Sequence, residues 1–217
     1  MNFFKKLFGR KDDKKAYIEE FEKHDHLKME GLERVLGPSH DMVGHALIPF
    51  DIGGAVDMYY FPNGIAGTGF ATMELIKPDG TGPIPNSLGT YEFVAFTRHE
   101  YVQDAPETAP FTLMQSRLCG IFTTMGNYSF EAKLKPGDTC EVPGSEDEPN
   151  MFVILDEYRP DNLEFRIGDN KHGLLLIMEV FREEMEYARE NGSAALFARL
   201  KEKGRYPYSD MDRASVL

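Results

Sequence analysis

The sequence predicts an α+β fold in which a mixed, mostly antiparallel β-sheet packs with helices as an α/β sandwich. Three observations carry this expectation. Leu174 to Val180, LLLIMEV, is an apolar run of strand length interrupted only by Glu179. Shorter strand-like runs, broken by Gly, Pro and Asn, begin at His45 and return after Lys133. Helix-like periodicity precedes, separates and follows them, with no internal repeat and no low-complexity segment.

Taken in order, residues 1–15, MNFFKKLFGRKDDKK, form a basic and apolar arm ahead of a single domain over 16–217. On a short helix Phe3, Phe4, Leu7 and Phe8 share a face against Lys5, Lys6 and Arg10. That pattern fits a weak interfacial membrane contact, but an arm barely two turns long reads more readily as frayed and solvated. Ala16 to Leu36 is charged and helix-like, with Tyr17, Ile18, Phe21, Leu32, Val35 and Leu36 as core contacts and Gly37-Pro38 as the stop. HALIPFD, AVDMYYF and GFATMELI read as strands broken by Gly53-Gly54 and Pro62-Asn63-Gly64. Ile48, Val56, Met58, Phe70 and Leu75 would face the sheet's covered side. Tyr59 and Tyr60 are either strand neighbours on opposite faces or half of a recognition surface.

Lys77 to Gly89 is a Gly/Pro loop, and its glycines do not make a phosphate loop. In Tyr91 to Thr97 both alternating sets contain apolar residues, so both faces of that strand are covered. A helix follows from Phe111 to about Thr124, with Leu113, Met114, Leu118, Ile121 and Phe122 in one buried stripe and Gly126-Asn127 at its end. Pro136-Gly137-Asp138 turns into a short strand, and the acidic loop from Gly144 to Asn150 is solvated. MFVILDEY and LEFRI flank Arg159-Pro160-Asp161-Asn162 as a hairpin. Beyond LLLIMEV, Phe181, Met185, Tyr187 and Ala188 recur at near-helical spacing up to Asn191-Gly192. Ser193 then caps a second short helix bearing Leu196, Phe197 and Leu200, which Gly204 ends.

The charge balance narrows the partners. The chain carries 24 basic and 36 acidic residues, net −12. The first fifteen residues hold six of the basic and two of the acidic ones, which leaves 18 against 34, net −16, for the rest. Such a body repels nucleic acid, whose binding depends on neutralising phosphates. Cys119 and Cys140 are the two cysteines, outside any Cys-x-x-Cys pattern, and read as small buried hydrophobes in a reducing compartment. With no membrane-length apolar run and no secretory leader pattern, the expected location is the cytoplasm.

Reaction machinery is not legible. Ser193, Ser209 and Ser215 lie in no Gly-x-Ser-x-Gly elbow, and His99-Glu100 lacks the second His of His-Glu-x-x-His. His24, His26, His40 and His45, with Asp25 and Asp41 nearby, are spaced for a surface helix and not for a metal. No metal and no cofactor are expected. A hydrolase would need distant residues gathered around His99 or His172.

The C-terminal segment LFARLKEKGRYPYSDMDRASVL resembles the end of the Suppressor of fused domain. There a Leu-rich helix leads through a Pro-containing turn to a Ser/Thr-Asp-Met-x-Arg element. GTYEFVAFTR and IFTTMGNYSFEAKLKPGDTCEVPG look like that domain's central strand and its helix followed by a Gly-Asp turn. The resemblance covers roughly Gly37 to Leu217 and implies a non-enzymatic binding protein of the single-lobed bacterial type. The family's animal member captures an extended peptide as an added strand, and many bacterial members look like immunity proteins.

These readings converge on an immunity-type or regulatory binder of a basic, toxin-like or regulatory, protein partner. The alternative is an interaction module recruited to the membrane by Phe3, Phe4, Lys5, Lys6, Leu7 and Phe8. Candidate contact residues are Tyr59, Tyr60, Glu74 and Asp79, on or beside strands ahead of the Gly/Pro loop. The tail is expected to be structural, with Met211 docked on the closing helices and Asp210 and Arg213 making local hydrogen bonds or an ion pair.

Overall fold

The computed structural model describes residues 11–144 and 149–217. The Phe/Lys motif of the arm and most of the acidic loop therefore lie outside the described residues. Helix α1 spans Lys11–Leu36, so residues 11–15, assigned to the arm from sequence, are helical. Seven strands build the main sheet: β1 Val43–Gly44, β2 Met58–Phe61, β3 Thr68–Ala71, β4 Tyr91–Thr97, β5 Thr139–Val142, β6 Met151–Glu157 and β9 Gly173–Val180. Their spatial order is β1-β2-β3-β4-β9-β6-β5. The pair β4–β9 is parallel, and the other neighbours run antiparallel. A small two-stranded ribbon pairs β7, Arg166–Ile167, with β8, Asn170–Lys171. Helices α2 (Pro110–Ser129), α3 (Arg182–Asn191) and α4 (Ser193–Glu202) complete the described α-helices, and single 3-10 turns lie at Phe50–Ile52 and Pro160–Asn162.

The sheet is the middle of three layers. Tyr91, Phe93, Ala95, Leu175 and Ile177 face Leu118, Ile121 and Phe122 of α2. Val94, Phe96, Leu174, Leu176 and Met178 face Leu32 and Leu36 of α1 together with Met185, Leu196 and Leu200. Cover on both sides explains why every residue of β4 and β9 is buried and why neither shows clean hydrophobic alternation. Each of these strands carries one glutamate, and each glutamate has a cation. Glu92 meets Lys28 of α1 at 3.0 Å, with both side chains all but inaccessible. Lys28 also donates to the Met73 and Ile76 carbonyls, and Glu92 accepts from the Thr72 hydroxyl and the Ile76 amide. Glu179 is held by Arg117 of α2. Removing one member of the Lys28–Glu92 pair costs about 3–5 kcal/mol, because the other stays buried and uncompensated.

Several expectations need correction. HALIPFD is not a strand: β1 ends at Gly44, and Ile48 is 57% exposed on the following loop. Tyr17 and Ile18, expected as core contacts, are exposed. Leu113 also points outward, and α2 runs through Gly126-Asn127 to Ser129. Gly126 is there for packing, since a Cβ would sit 3.1 Å from the Phe50 ring. MFVILDEY does not pair with LEFRI; β6 takes β9 as its partner, and Arg166–Ile167 joins β8. Ser193 caps nothing, and its hydroxyl donates to the Gly137 carbonyl.

The tail is bonded to distant parts of the chain: Asp210 makes long-range hydrogen bonds in place of local ones, and Arg213 makes the ion pair. The parallel ladder of β4 and β9 stops at Val94 and Leu176, and beyond it Tyr208 to Asp210 fill the widening gap. The Ser209 amide donates to the Phe96 carbonyl at 2.8 Å, and its hydroxyl accepts from the Glu179 amide at 3.1 Å. Asp210 accepts from the Thr97 hydroxyl and the Arg98 amide. Arg213 grips Glu184 of α3 with two bonds of 2.7 Å, at side-chain exposures of 1% and 0%. Burial raises the Glu184 pKa, but Arg213 and the Val216 and Phe181 amides outweigh it and hold the carboxyl below its ordinary range. Met211 is half-buried, and Tyr208 and Val216 are the tail residues that enter the core.

Candidate functional site

The loop between β1 and β2 is a ridge with a cavity on each flank. It is tightly bonded. Asp57 accepts from the Ala46 amide at 2.8 Å and lies 2.7 Å from His45 Nδ1. Gly54 donates to the Pro49 carbonyl at 3.0 Å. A Cβ on Gly54 would fall 1.6 Å from the Ile48 carbonyl oxygen, so only glycine closes this turn. The Phe50 ring is buried, 6.3 Å from Phe130, and anchors the ridge from below. The crest is apolar: Leu47 is fully exposed, Ile48 57% and Ile52 70%.

On the α1 flank lies a notch of about 180 Å³ with Phe21, Tyr59 and Met73 among its walls. Four carboxylates, Asp25, Asp51, Asp57 and Glu74, line it against one cation, Lys77, which is bonded to Asp51. Glu74 accepts from the Asp57 amide at 2.7 Å. Burial first, and then the Asp57 charge, push the Glu74 carboxyl up to about 7, while burial also raises Asp25. Burial is the main cause of both shifts; the Asp57 charge adds to it at Glu74, whereas Lys28 and His24 oppose it at Asp25. On the other flank, between the ridge and α2, lies a groove of about 320 Å³ lined by Ala46, Val56, Met58 and Cys119.

Two of the four contact residues expected from sequence, Tyr59 and Glu74, meet in the notch. Tyr60 does not: it is 1% exposed, packed 5.5 Å from Phe70, and so closed to a partner's contact. The two tyrosines point to opposite faces because they are neighbours on one strand. Asp79 is exposed but folds back to bond the Thr81 amide and hydroxyl of its own turn. Asp25, Asp51 and Asp57 were missed. Asp57 carried a readable signal, as a charge inside the strand-like run AVDMYYF. Asp25 and Asp51 carried none, since only the packing of α1 beside the ridge brings them in.

The histidines that a hydrolase would use lie elsewhere. His172 lines a separate cavity of about 300 Å³, and the hydroxyl 2.8 Å from its Nδ1 belongs to Thr90, which lies outside that cavity. His99 sits 3.5 Å from Asp212 beside the tail. Among the described residues no helix is long and apolar enough to cross a membrane.

Comparison with known proteins assigns the frame around this site. A family model described as Suppressor of fused protein matches residues 68–214, well over half of the chain. The chain belongs to the Suppressor of fused family. A chain of the Sufu–Fu complex crystal structure shares its fold, with a TM-score of 0.57 at 13% identity over 90% of this chain and 91% of that one. No curated protein matches. The Suppressor of fused match includes Glu184, Asp210 and Arg213, the bonds that close the tail. It begins after Asp25, Asp51 and Asp57, so most of the carboxylate notch lies outside the matched segment.

Proposed function

We propose that this Suppressor of fused protein is a non-enzymatic binder of a basic protein, in an immunity-type or regulatory role. The single observation that carries this reading is the notch, where four carboxylates face one lysine beside Tyr59 and Phe21. A Lys or Arg side chain entering it would supply the missing charge and lie against aromatic faces, an arrangement that favours cations. The net −16 of the chain beyond its first fifteen residues acts in the same direction over longer range, by steering a basic partner inward. The family's regulatory, protein-binding character supports binding over catalysis, and the neighbouring structure is itself a complex with a protein. An exposed sheet edge gives a second point of attachment, for which β5, with four residues, is a longer template than β1 with two.

The test compares full-length protein with an Asp25→Asn/Glu74→Gln variant, which keeps the shape of the notch and the acceptor for the Asp57 amide. Affinity purification with mass spectrometry identifies the partner, and association is then timed at low and physiological salt. Expected is a basic partner whose on-rate falls as salt rises and which the variant retains poorly. An acidic partner, or an on-rate indifferent to salt, rejects the reading.

A further inference from the structure

The notch is only one side of the ridge. Gly44 and Ala46 line the apolar groove, while Pro49, Asp51 and Asp57 line the carboxylate notch. Leu47, Ile48 and Ile52 stand between them in water. Exposed aliphatics are ordinary when scattered, but three within six residues on one crest make a patch. The crest is not loose chain, because the Pro49 carbonyl accepts from both Ile52 and Gly54 and Phe50 is sunk in the core. A preorganised apolar surface loses little entropy when something covers it.

We infer that the ridge is a docking surface for a protein segment in which basic and apolar side chains alternate, straddling the crest. Basic side chains enter the notch of Asp25, Asp57 and Glu74, and apolar ones cover Leu47, Ile48 and Ile52 and reach the groove. The occupant follows from charge. A lipid surface would press anionic headgroups against Asp51 and Asp57, and a second copy of this acidic chain would bring like charges together. The inference rests on the basic-partner reading and adds to it an apolar half that charge alone does not require.

Two synthetic peptides of equal charge separate the halves: a Lys-Leu alternating decamer and a Lys-Ser alternating decamer, titrated by fluorescence anisotropy against full-length protein. Expected is binding of the Lys-Leu peptide at least about tenfold tighter than the Lys-Ser peptide, a small share of what burying the crest aliphatics can contribute. A Leu47→Ser/Ile48→Ser/Ile52→Ser variant should reduce Lys-Leu affinity to the Lys-Ser level and leave Lys-Ser binding unchanged. If the triple variant keeps the Lys-Leu preference, the docking surface is overturned while the basic-partner reading stands. If Asp25→Asn/Glu74→Gln binds both peptides as wild type does, the reading itself falls. Flotation on phosphatidylserine vesicles that depends on the three aliphatics would overturn the proposal in favour of a lipid surface. A dimer dissolved by the triple substitution would assign the crest to a second copy.

Discussion

At the C-terminal clasp Glu184, Asp210 and Arg213 are all withdrawn from water and all bonded, whereas the ridge between β1 and β2 leaves Leu47, Ile48 and Ile52 uncovered. Both regions are well fixed, the clasp by charge pairing and the ridge by turn bonds and the Phe50 anchor. What differs is completion. The charges that the clasp buries are met inside the chain, Glu184 by Arg213 and Asp210 by Thr97 and Arg98, although among the described residues the Arg213 Nε has no hydrogen-bond partner. A charge left wholly unmet would cost several kcal/mol. The ridge is stable without its apolar crest being met at all. Stability and recognition therefore sit in separate places, and substitutions can break one without the other.

The largest expected effect is at the clasp. Arg213→Ala strands Glu184 and should cost about 3–5 kcal/mol, which lowers the melting temperature by on the order of 10 °C for a domain of this size. Calorimetry showing an unchanged transition would erase the contrast. Because the Glu184 pKa is depressed, its stabilisation is present above the ordinary glutamate range and is lost as pH falls through and below it. Asp210→Ala should cost less, about 1–3 kcal/mol, since it leaves the Thr97 hydroxyl and the Arg98 amide without their acceptor. Urea melts can rank the two variants, and the reverse order would show that the tail is held mainly at its Ser209–Asp210 end.

Glu74 is expected to give a smaller effect of opposite pH sign. Its folded pKa, raised to about 7, means that the folded state keeps a proton the unfolded chain has released. The stability this adds is full below the ordinary glutamate value and is lost as pH rises through 7. Glu74→Gln should therefore narrow the difference in melting temperature between pH 5 and pH 8. A difference identical to wild type would mean that Glu74 is not crowded. Smallest of all, Leu47→Ser and Ile48→Ser should shift stability by no more than about 0.5 kcal/mol, as expected for surface positions. A larger loss in chemical denaturation would make the crest part of the core and remove the comparison altogether.

The fold was legible where pattern and burial coincide. LLLIMEV and YEFVAFT announce strands covered on both faces, but nothing local announces that Arg117 and Lys28 meet the glutamate inside each. Illegible were the places where tertiary geometry overrides the local signal. HALIPFD reads as a short strand-like run, yet the close approach of Gly54 to Ile48 folds it into the ridge. The Asn162 turn looks like a hairpin, yet β9 takes the edge of β6 that LEFRI would have occupied. The site divides in the same way. Tyr59 and Glu74 could be chosen from their strand context, but Tyr60 could not be excluded from them without knowing which face meets Phe70 and Phe111. The tail's bonds were invisible because their partners lie far away in sequence, with Asp210 meeting Thr97 and Arg98.

The parallel pairing of β4 with β9 also dictates an order of assembly. β2 and β3 can meet through a short turn, and β5 and β6 through one loop, as soon as each segment exists. Tyr91 can find Gly173 only by closing a loop that contains α2, β5 and β6, an entropic cost met before any central contact repays it. Until that closure β4 is an unpaired strand edge whose seven residues, Tyr91 to Thr97, are all destined for burial. Such an edge is a template for any other unfinished chain. The feature that makes the finished sheet continuous is thus the one that leaves the half-made protein most open to aggregation.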